Sequence, residues 1–530
     1  MSEGGAVMGG TPGAGKASCG EQRAPRHFEY VEGWGMACGH HGRVWRPQNA
    51  EQVAGVLAAA AARGTSLALR GAGCSYGDAS MNSAGEVLDL TAMNRILSFE
   101  PAAGAGGQAD DQTGGQAHGG QAHGARADSN GGTGYGRVSA EGGVTIEQLW
   151  RFLLPRGHWP RVVSGTAAPT LAGAAAMNIH GKNNYKVGTF GDAVEELDIV
   201  LPGGELRTVT RASDRELFQA AIGGFGMLGC ITRLTLKTHP IHSGDLEVDA
   251  IATRRLGEMM EAMEARRESA DYLVGWIDAF AGGDNLGRGL IHTARYLEPG
   301  EDSDPASTLA LAHQEQPPNI FGVYPKTEMW RLLRPVNNAP GMRAVNAAKC
   351  LAGRLEAMAG PRRQSHAAFA FLLDFVPNWK FAYGRTPGQG LIQYQSFVPA
   401  AAAHDCFADL LSMCQAENRV PLLAVFKRHR PDPFCLTHVP SHPAGAWSLA
   451  LDFKVTPHNR PALWSLCERL TARVLEASGR FYFAKDLTIS PATVSAMFPA
   501  HKLSAFRALK HKLDPDLTLQ TDLWRRLFGG

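Results

Sequence analysis

The sequence lacks a Cys-X-X-Cys pair, an apolar run of membrane-spanning length and an excess of either charge. Its nine cysteines are scattered and odd in number. That argues against a disulfide framework and against a zinc site, and it favours a reducing compartment. No metal is expected. No stretch reaches the roughly 18 consecutive apolar residues of a bilayer-spanning helix. The Gly-rich N-terminus has no apolar signal-peptide core, so a cytoplasmic protein is expected, with room for peripheral membrane contact. Lys plus Arg number 52 against 50 Asp plus Glu, and so balanced a chain offers no nucleic-acid surface. What is left is an ordinary globular composition, 44% hydrophobic over 530 residues, long enough for two domains.

Two segments cannot bury enough apolar surface to fold. Residues 1–27 read as a disordered tail. Within it, Gly10-Thr11-Pro12-Gly13-Ala14-Gly15-Lys16-Ala17 imitates a P-loop. Ala17 stands where a Mg²⁺-binding Ser or Thr is needed, however, and no strand precedes the run. Residues 102–134 are of low complexity and contain GGQAHGGQAHG. They read as a surface insertion that carries His118 and His123 rather than as a metal site. The insertion lengthens a hairpin between residues 96–98 and 138–140.

Elsewhere the patterning is that of a folded α+β protein. It predicts a helix over 50–63 ended by Gly64, strands at 67–69 and 87–90, and a capped helix over 145–154. Strands at 197–201 and 206–209 flank the turn Pro202-Gly203-Gly204-Glu205. From about residue 241 the pattern changes. An exposed helix is expected over 256–270, and an irregular, Pro-rich, mobile or lid-like stretch over 297–365. Strands at 390–395, 420–427 and 447–455 suggest an antiparallel sheet.

The most informative run is Leu69-Arg70-Gly71-Ala72-Gly73-Cys74-Ser75-Tyr76-Gly77-Asp78. Glycine lets backbone approach a ligand and take positive φ without steric cost. Successive bare N–H groups then form a concave anion site, so the loop reads as a cradle for pyrophosphate. Two later pieces agree with it. One holds Gly165, Thr166, Gly173 and Asn178-Ile179-His180-Gly181-Lys182-Asn183; the other is Gly223-Gly224-Phe225-Gly226-Met227-Leu228-Gly229, before a strand containing Ile231.

In this order and spacing the three pieces resemble the PCMH-type FAD domain of the vanillyl-alcohol-oxidase superfamily. SYGD, HGKN and GGFG-hydrophobe-G are most similar to its polyprenylphosphoryl-pentose 2′-oxidase branch. The resemblance spans residues 30–240 and 370–530. It implies a two-subdomain FAD-binding domain over 28–240 and a substrate domain over 241–477, built on an antiparallel sheet flanked by helices. Residues 478–530 would then return to the FAD domain. FAD would be held by Gly71, Ala72, Gly73, Cys74, Ser75, Tyr76 and Gly77, by Gly165, Thr166, Gly173, Asn178, Gly181 and Asn183, and by the backbone of Ile231. Some relatives carry at the place of Cys74 a His bonded covalently to flavin. With Cys there, non-covalent FAD is expected.

A flavin oxidase must hold the pyrophosphate, aim a substrate C–H at flavin N5 and stabilise charge near flavin N1. The resemblance puts Lys485, in Tyr482-Phe483-Ala484-Lys485-Asp486, where a cation favours reduced flavin and a substrate oxyanion. On a regular strand Tyr482 and Lys485 would face opposite ways, so a bend is required if both line the site. His180 would bond a substrate hydroxyl or assist its deprotonation. Lys182 reads most simply as exposed. Tyr76, Gln395 and Lys427 match positions lining the family's active site. The run Lys427-Arg428-His429-Arg430 reads equally as a phosphate-binding group or a charged turn. There are departures. Ser448 and Ala450 stand where that branch carries Asn and Cys, and Asp486 is not followed by the family's Arg.

The expected activity is FAD-dependent hydride removal from a secondary alcohol of a sugar-like substrate, a polyprenylphosphoryl pentose above all. A separate NAD(P)H-dependent short-chain reductase would complete an epimerisation. An aldonolactone or alditol oxidase using O₂ is the alternative enzyme, and a non-catalytic flavin-binding partner protein the alternative of another class.

Overall fold

The computed structural model describes residues 28–102, 134–320, 322–386 and 388–529. The N-terminal tail with its P-loop-like run, and the insertion with His118 and His123, lie outside the described residues. The fold is mixed α+β, with mostly antiparallel sheets.

The first sheet is small and parallel, in the order Val44–Trp45, Glu86–Asp89, Leu67–Arg70. The helix Ala50–Ala62 crosses over between two of its strands, capped by Asn49, whose side chain accepts from Gln52 N. The strand Leu67–Arg70 delivers the chain into the glycine loop. A second, six-stranded sheet follows. Its path runs Leu206–Thr210, Val194–Val200, Cys230–Pro240, Gly136–Glu141, Ile96–Glu100, with His158–Pro160 also on the long strand. The 96–100 and 136–141 strands pair antiparallel, as the hairpin reading expects. The helix Ile146–Leu153 starts in the expected capping box: Thr145 Oγ1 accepts from Gln148 N at 3.1 Å, and Gln148 Oε1 from Thr145 N at 2.9 Å.

The third sheet is antiparallel and eight-stranded. Its order is Arg362–Ser365, Asp245–Thr253, Gly289–Tyr296, Tyr272–Ile277, Leu423–His429, Ala446–Val455, Gly390–Pro399, Arg480–Phe481. Strand alternation gives its middle strands two roles. Tyr394 points to Thr471 of the packed helix Arg460–Glu476, 3.2 Å away. Gln393 and Gln395 point the other way.

Two expectations are corrected. The helix predicted over 256–270 is Leu256–Ala265, and it is not simply exposed, since Leu256, Met259 and Met263 form a buried face. The stretch 297–365 is not irregular. It contains the helices Met329–Val336 and Ala339–Ala359, the latter 21 residues long. Pro340 sits in the first turn of the longer helix, where no N–H bond is lost, behind an Asn338 cap, and Pro335 falls in the last turn of the shorter one.

The end of the chain packs back on the first sheet. Leu67 N donates to Thr518 O at 2.7 Å and Gln520 N to Leu67 O at 2.9 Å. Tyr76 N donates to Ala484 O at 2.8 Å. Arg526 binds both Asp78 oxygens, at 2.8 and 2.9 Å, and Asp486 at 3.0 Å. Phe225 of the glycine-rich turn lies 5.4 Å from Phe528, which stacks on Trp524. Large aromatic burial of this kind stabilises by about 1.5–3 kcal/mol per side chain.

Candidate active site

A cavity of about 650 Å³ lies where these parts meet. The loop 70–76 forms one wall; Ser164, Gly165, Thr166, Gly173 and Met177 form a second, with Gly226, Gly229 and Ile231. Glycine is required at the loop: a Cβ on Gly71 would collide with Thr170 Oγ1, and Gly73 has φ +67°. Among the described residues, the N–H groups of Ala72, Gly73, Cys74 and Ser75 donate to no protein acceptor. The buried hydroxyls of Tyr76 and Tyr482 have no partner either. Bare donors and orphaned hydroxyls around a glycine-lined cavity fit a large anionic ligand such as FAD.

The third sheet supplies the remaining wall, and its register explains the grouping. Gln393 pairs across from Asp452, Gln395 from Ala450, and Lys427 from Ser448. Gln393, Gln395, Lys427, Ser448 and Ala450 all line the cavity. Gln393 Nε2 donates to Asp452 Oδ1 at 2.6 Å. Gln395 Nε2 donates to His180 Nε2 at 3.1 Å. Burial first, then the Lys427 charge, pushes the His180 pKa well below the usual imidazole range, so His180 is neutral. His429 holds Ser448 Oγ at 2.8 Å.

Tyr482 and Lys485 both line the cavity. The strand stops at Phe481, and Lys485 N and Asp486 N both donate to Tyr482 O, at 3.0 and 3.2 Å. This tight turn is the required bend and cancels strand alternation. Lys485 Nζ sits 3.6 Å from the Tyr76 ring centroid. Burial pulls the Lys485 amine far below the ordinary lysine range, and the Asp452 carboxylate opposes that pull. Burial likewise pushes the Asp452 carboxyl up, against its Gln393 bond and Lys485.

Not every expected position lines the cavity. Gly77, Asn178, Gly181 and Asn183 are absent from its walls. Gly77 instead packs on the Asp486 carbonyl, too close for any Cβ. Asn178 takes φ +44° and accepts from Gly191 N at 2.9 Å. Asn183 Nδ2 ties the loop to Arg161 O at 2.9 Å, and Gly181 makes room for the Asn183 side chain. These four shape the walls from behind. Lys182 is buried rather than exposed; its Nζ donates to Phe369 O and Ala370 O and lies over the Phe369 ring. The basic run 427–430 does not act as one patch, because strand alternation splits it. Lys427 faces the cavity, while Arg428 bonds Glu264 at 2.6 Å on the other side. Arg430 donates to Val187 O at 2.9 Å.

Sequence reasoning missed Asp452, Gln393 and Asp374. Asp374 binds Thr166 Oγ1 and Ala167 N, both at 2.7 Å, and so holds the second wall in place. A signal for Asp452 existed: it is the one carboxylate in the apolar strand WSLALDFKV, and a charge there requires a partner.

Residues 42–114 and 129–210 match the family described as FAD binding domain. The chain is 29% identical over 513 residues to the decaprenylphosphoryl-β-D-ribose oxidase of Mycolicibacterium smegmatis, covering 95% of this chain and 98% of that one. It is 26% identical over 186 residues to a Neurospora crassa protein that carries the name D-arabinono-1,4-lactone oxidase, covering 35% and 31%. It is 34% identical over 135 residues to cytokinin dehydrogenase 1 of Oryza sativa, covering 24% and 25%. Fold, cavity and these similarities define an FAD-dependent oxidoreductase. Within that class the chain resembles the FAD-linked oxidases of the vanillyl-alcohol-oxidase superfamily.

Proposed function

We propose that the protein oxidises a secondary alcohol of a polyprenylphosphoryl pentose to a ketone. The observation that carries this reading is the character of the cavity beyond the glycine cradle. Its more exposed walls are apolar (Leu333, Val345, Leu372, Val376), while the buried Lys427 and Lys485 stand among polar groups. A lipid tail suits the first part and a phosphorylated sugar the second. Near full-length similarity to a decaprenylphosphoryl-β-D-ribose oxidase supports the same substrate class.

Bound non-covalently, FAD supplies the two-electron acceptor for the hydride that leaves the carbinol carbon. The chain's own residues do the rest. Lys485 Nζ takes the hydroxyl proton; its amine, lowered by burial, then holds that proton as a cation. Neutral His180, oriented by Gln395, bonds the hydroxyl and so aims the C–H. Lys427 and Tyr482 bound the sugar. The ketone requires a separate NAD(P)H-dependent reductase to complete an epimerisation.

Anaerobic addition of a polyprenylphosphoryl pentose to the FAD-loaded protein should bleach the flavin absorbance. Bleaching by an aldonolactone or alditol alone would replace this reading with that of a soluble-sugar oxidase. Bleaching by no sugar at all would leave a non-catalytic flavin-binding partner.

A further inference from the structure

Among the described residues, eight of the twelve exposed large apolar side chains fall between Val323 and Phe375. They concentrate on the two helices Met329–Val336 and Ala339–Ala359. On the longer helix, Ala344, Ala348, Leu351, Leu355 and Met358 recur every three or four residues and form one stripe. Leu351 and Leu355 are each 60% exposed and Met358 84%. Contiguous apolar exposure of this kind marks an interaction surface.

The charge around the stripe is of one sign. Residues 323–363 contain eight Lys or Arg and two Glu, while the whole chain has a net charge of only +2. The two glutamates are already paired, Glu328 with Arg331 and Glu356 with Arg362. Among the described residues, Arg334, Arg343 and Arg354 are exposed and pair with no carboxylate. A second copy of the chain would set basic flank against basic flank. An acidic sheet of headgroups over an apolar interior complements both features at once.

The same helix has a second face. Met342, Val345, Asn346 and Lys349 line the cavity, so one helix separates the cavity from the stripe. We propose that the outer face of the helices Met329–Val336 and Ala339–Ala359 docks on an anionic phospholipid bilayer and sets the cavity mouth against it. The surface stands on its own exposure and charge; the idea that it delivers a lipid-tailed substrate rests on the function proposed above.

The test is flotation of the full-length, FAD-loaded protein with vesicles. One set is phosphatidylcholine alone and the other contains phosphatidylglycerol. Binding is expected only to the anionic set and should weaken with salt. It should fall by about tenfold or more both in Leu351→Glu/Leu355→Glu and in Arg343→Glu/Arg354→Glu, with flavin content and thermal midpoint unchanged. Absence of binding to either vesicle, or equal binding by wild type and variants, would overturn the proposal. So would a dimer in light scattering that the same substitutions dissolve, which would make the stripe a protein interface. A protein bleached by the lipid-linked sugar in detergent that ignores vesicles would lose this surface and keep its proposed substrate. One that binds vesicles yet is not bleached would keep the surface and lose the substrate.

Discussion

Lys485 Nζ lies 3.6 Å from the ring centroid of Tyr76, although 409 positions of sequence separate the two residues. The contact joins the end of the chain to the glycine loop. Tyr76 N donates to Ala484 O, so backbone and side chain act together to place the amine at the cavity. A desolvated ammonium over an aromatic face gains about 2 kcal/mol or more, which offsets part of the cost of burying it.

Lys485→Met should keep FAD and lose reduction. The rate of flavin bleaching by substrate is expected to fall by about 10²–10⁴-fold. In the wild type, burial holds the amine below the lysine range, so the neutral, proton-accepting form gains population as pH rises. Bleaching should therefore accelerate with pH, and that rise should be missing in the variant. Stopped-flow absorbance at several pH values checks both points; an unchanged rate would remove Lys485 from its role.

His180 and Gln395 should behave as a unit. His180→Ala and Gln395→Ala are each expected to lower kcat/KM, and the double variant to lose less than the sum. A double-mutant cycle should give a coupling of about 0.5–3 kcal/mol. Additive effects would show that the 3.1 Å bond does not position the imidazole.

Gly77→Ala should destabilise the protein although Gly77 itself does not line the cavity. Its Cβ would collide with the Asp486 carbonyl, a backbone atom that cannot swing aside. The cost expected from such overpacking is about 1–3 kcal/mol, seen in thermal or urea unfolding. Because Asp486 adjoins Lys485, bleaching should slow as well.

Lys182→Met should change how stability depends on pH. Burial, then the Lys427 charge, lowers the folded-state pKa of Lys182 well below 10.5. Between that lowered value and 10.5 the unfolded chain holds a proton that the folded chain has released, so stability rises with pH. The variant should lose this rise, read as a smaller gain in unfolding midpoint between neutral and alkaline buffer. An identical gain in both proteins would show that Lys182 does not titrate.

Acid precipitation should release the flavin into the supernatant. Cys74 Sγ lies 3.8 Å from Ala72 O, and burial, the dominant influence, pushes its thiol up to about 11. It is thus a poor thiolate for bonding to flavin. Yellow protein in the pellet would show a covalent link.

What the sequence by itself determined is local. Gly71 and Gly73 mark the cradle because only glycine tolerates that close approach and that positive φ. Thr145 with Gln148 marks a helix start, and short apolar runs, one of them partly alternating, mark three neighbouring strands of the large sheet. Such features depend on sterics and hydrogen bonds within a few residues, so they can be read along the chain. Tertiary structure decided which residues meet. Sheet register set Gln393 beside Asp452 and split Lys427 from Arg428. The turn after Phe481 brought Tyr482 and Lys485 to one cavity. Packing turned an expected exposed Lys182 inward. Asn178 accepts from Gly191 N and Asn183 donates to Arg161 O, and neither lines the cavity. These outcomes depend on partners tens to hundreds of residues away, whose placement follows from burial of the whole core and leaves no mark within a local window.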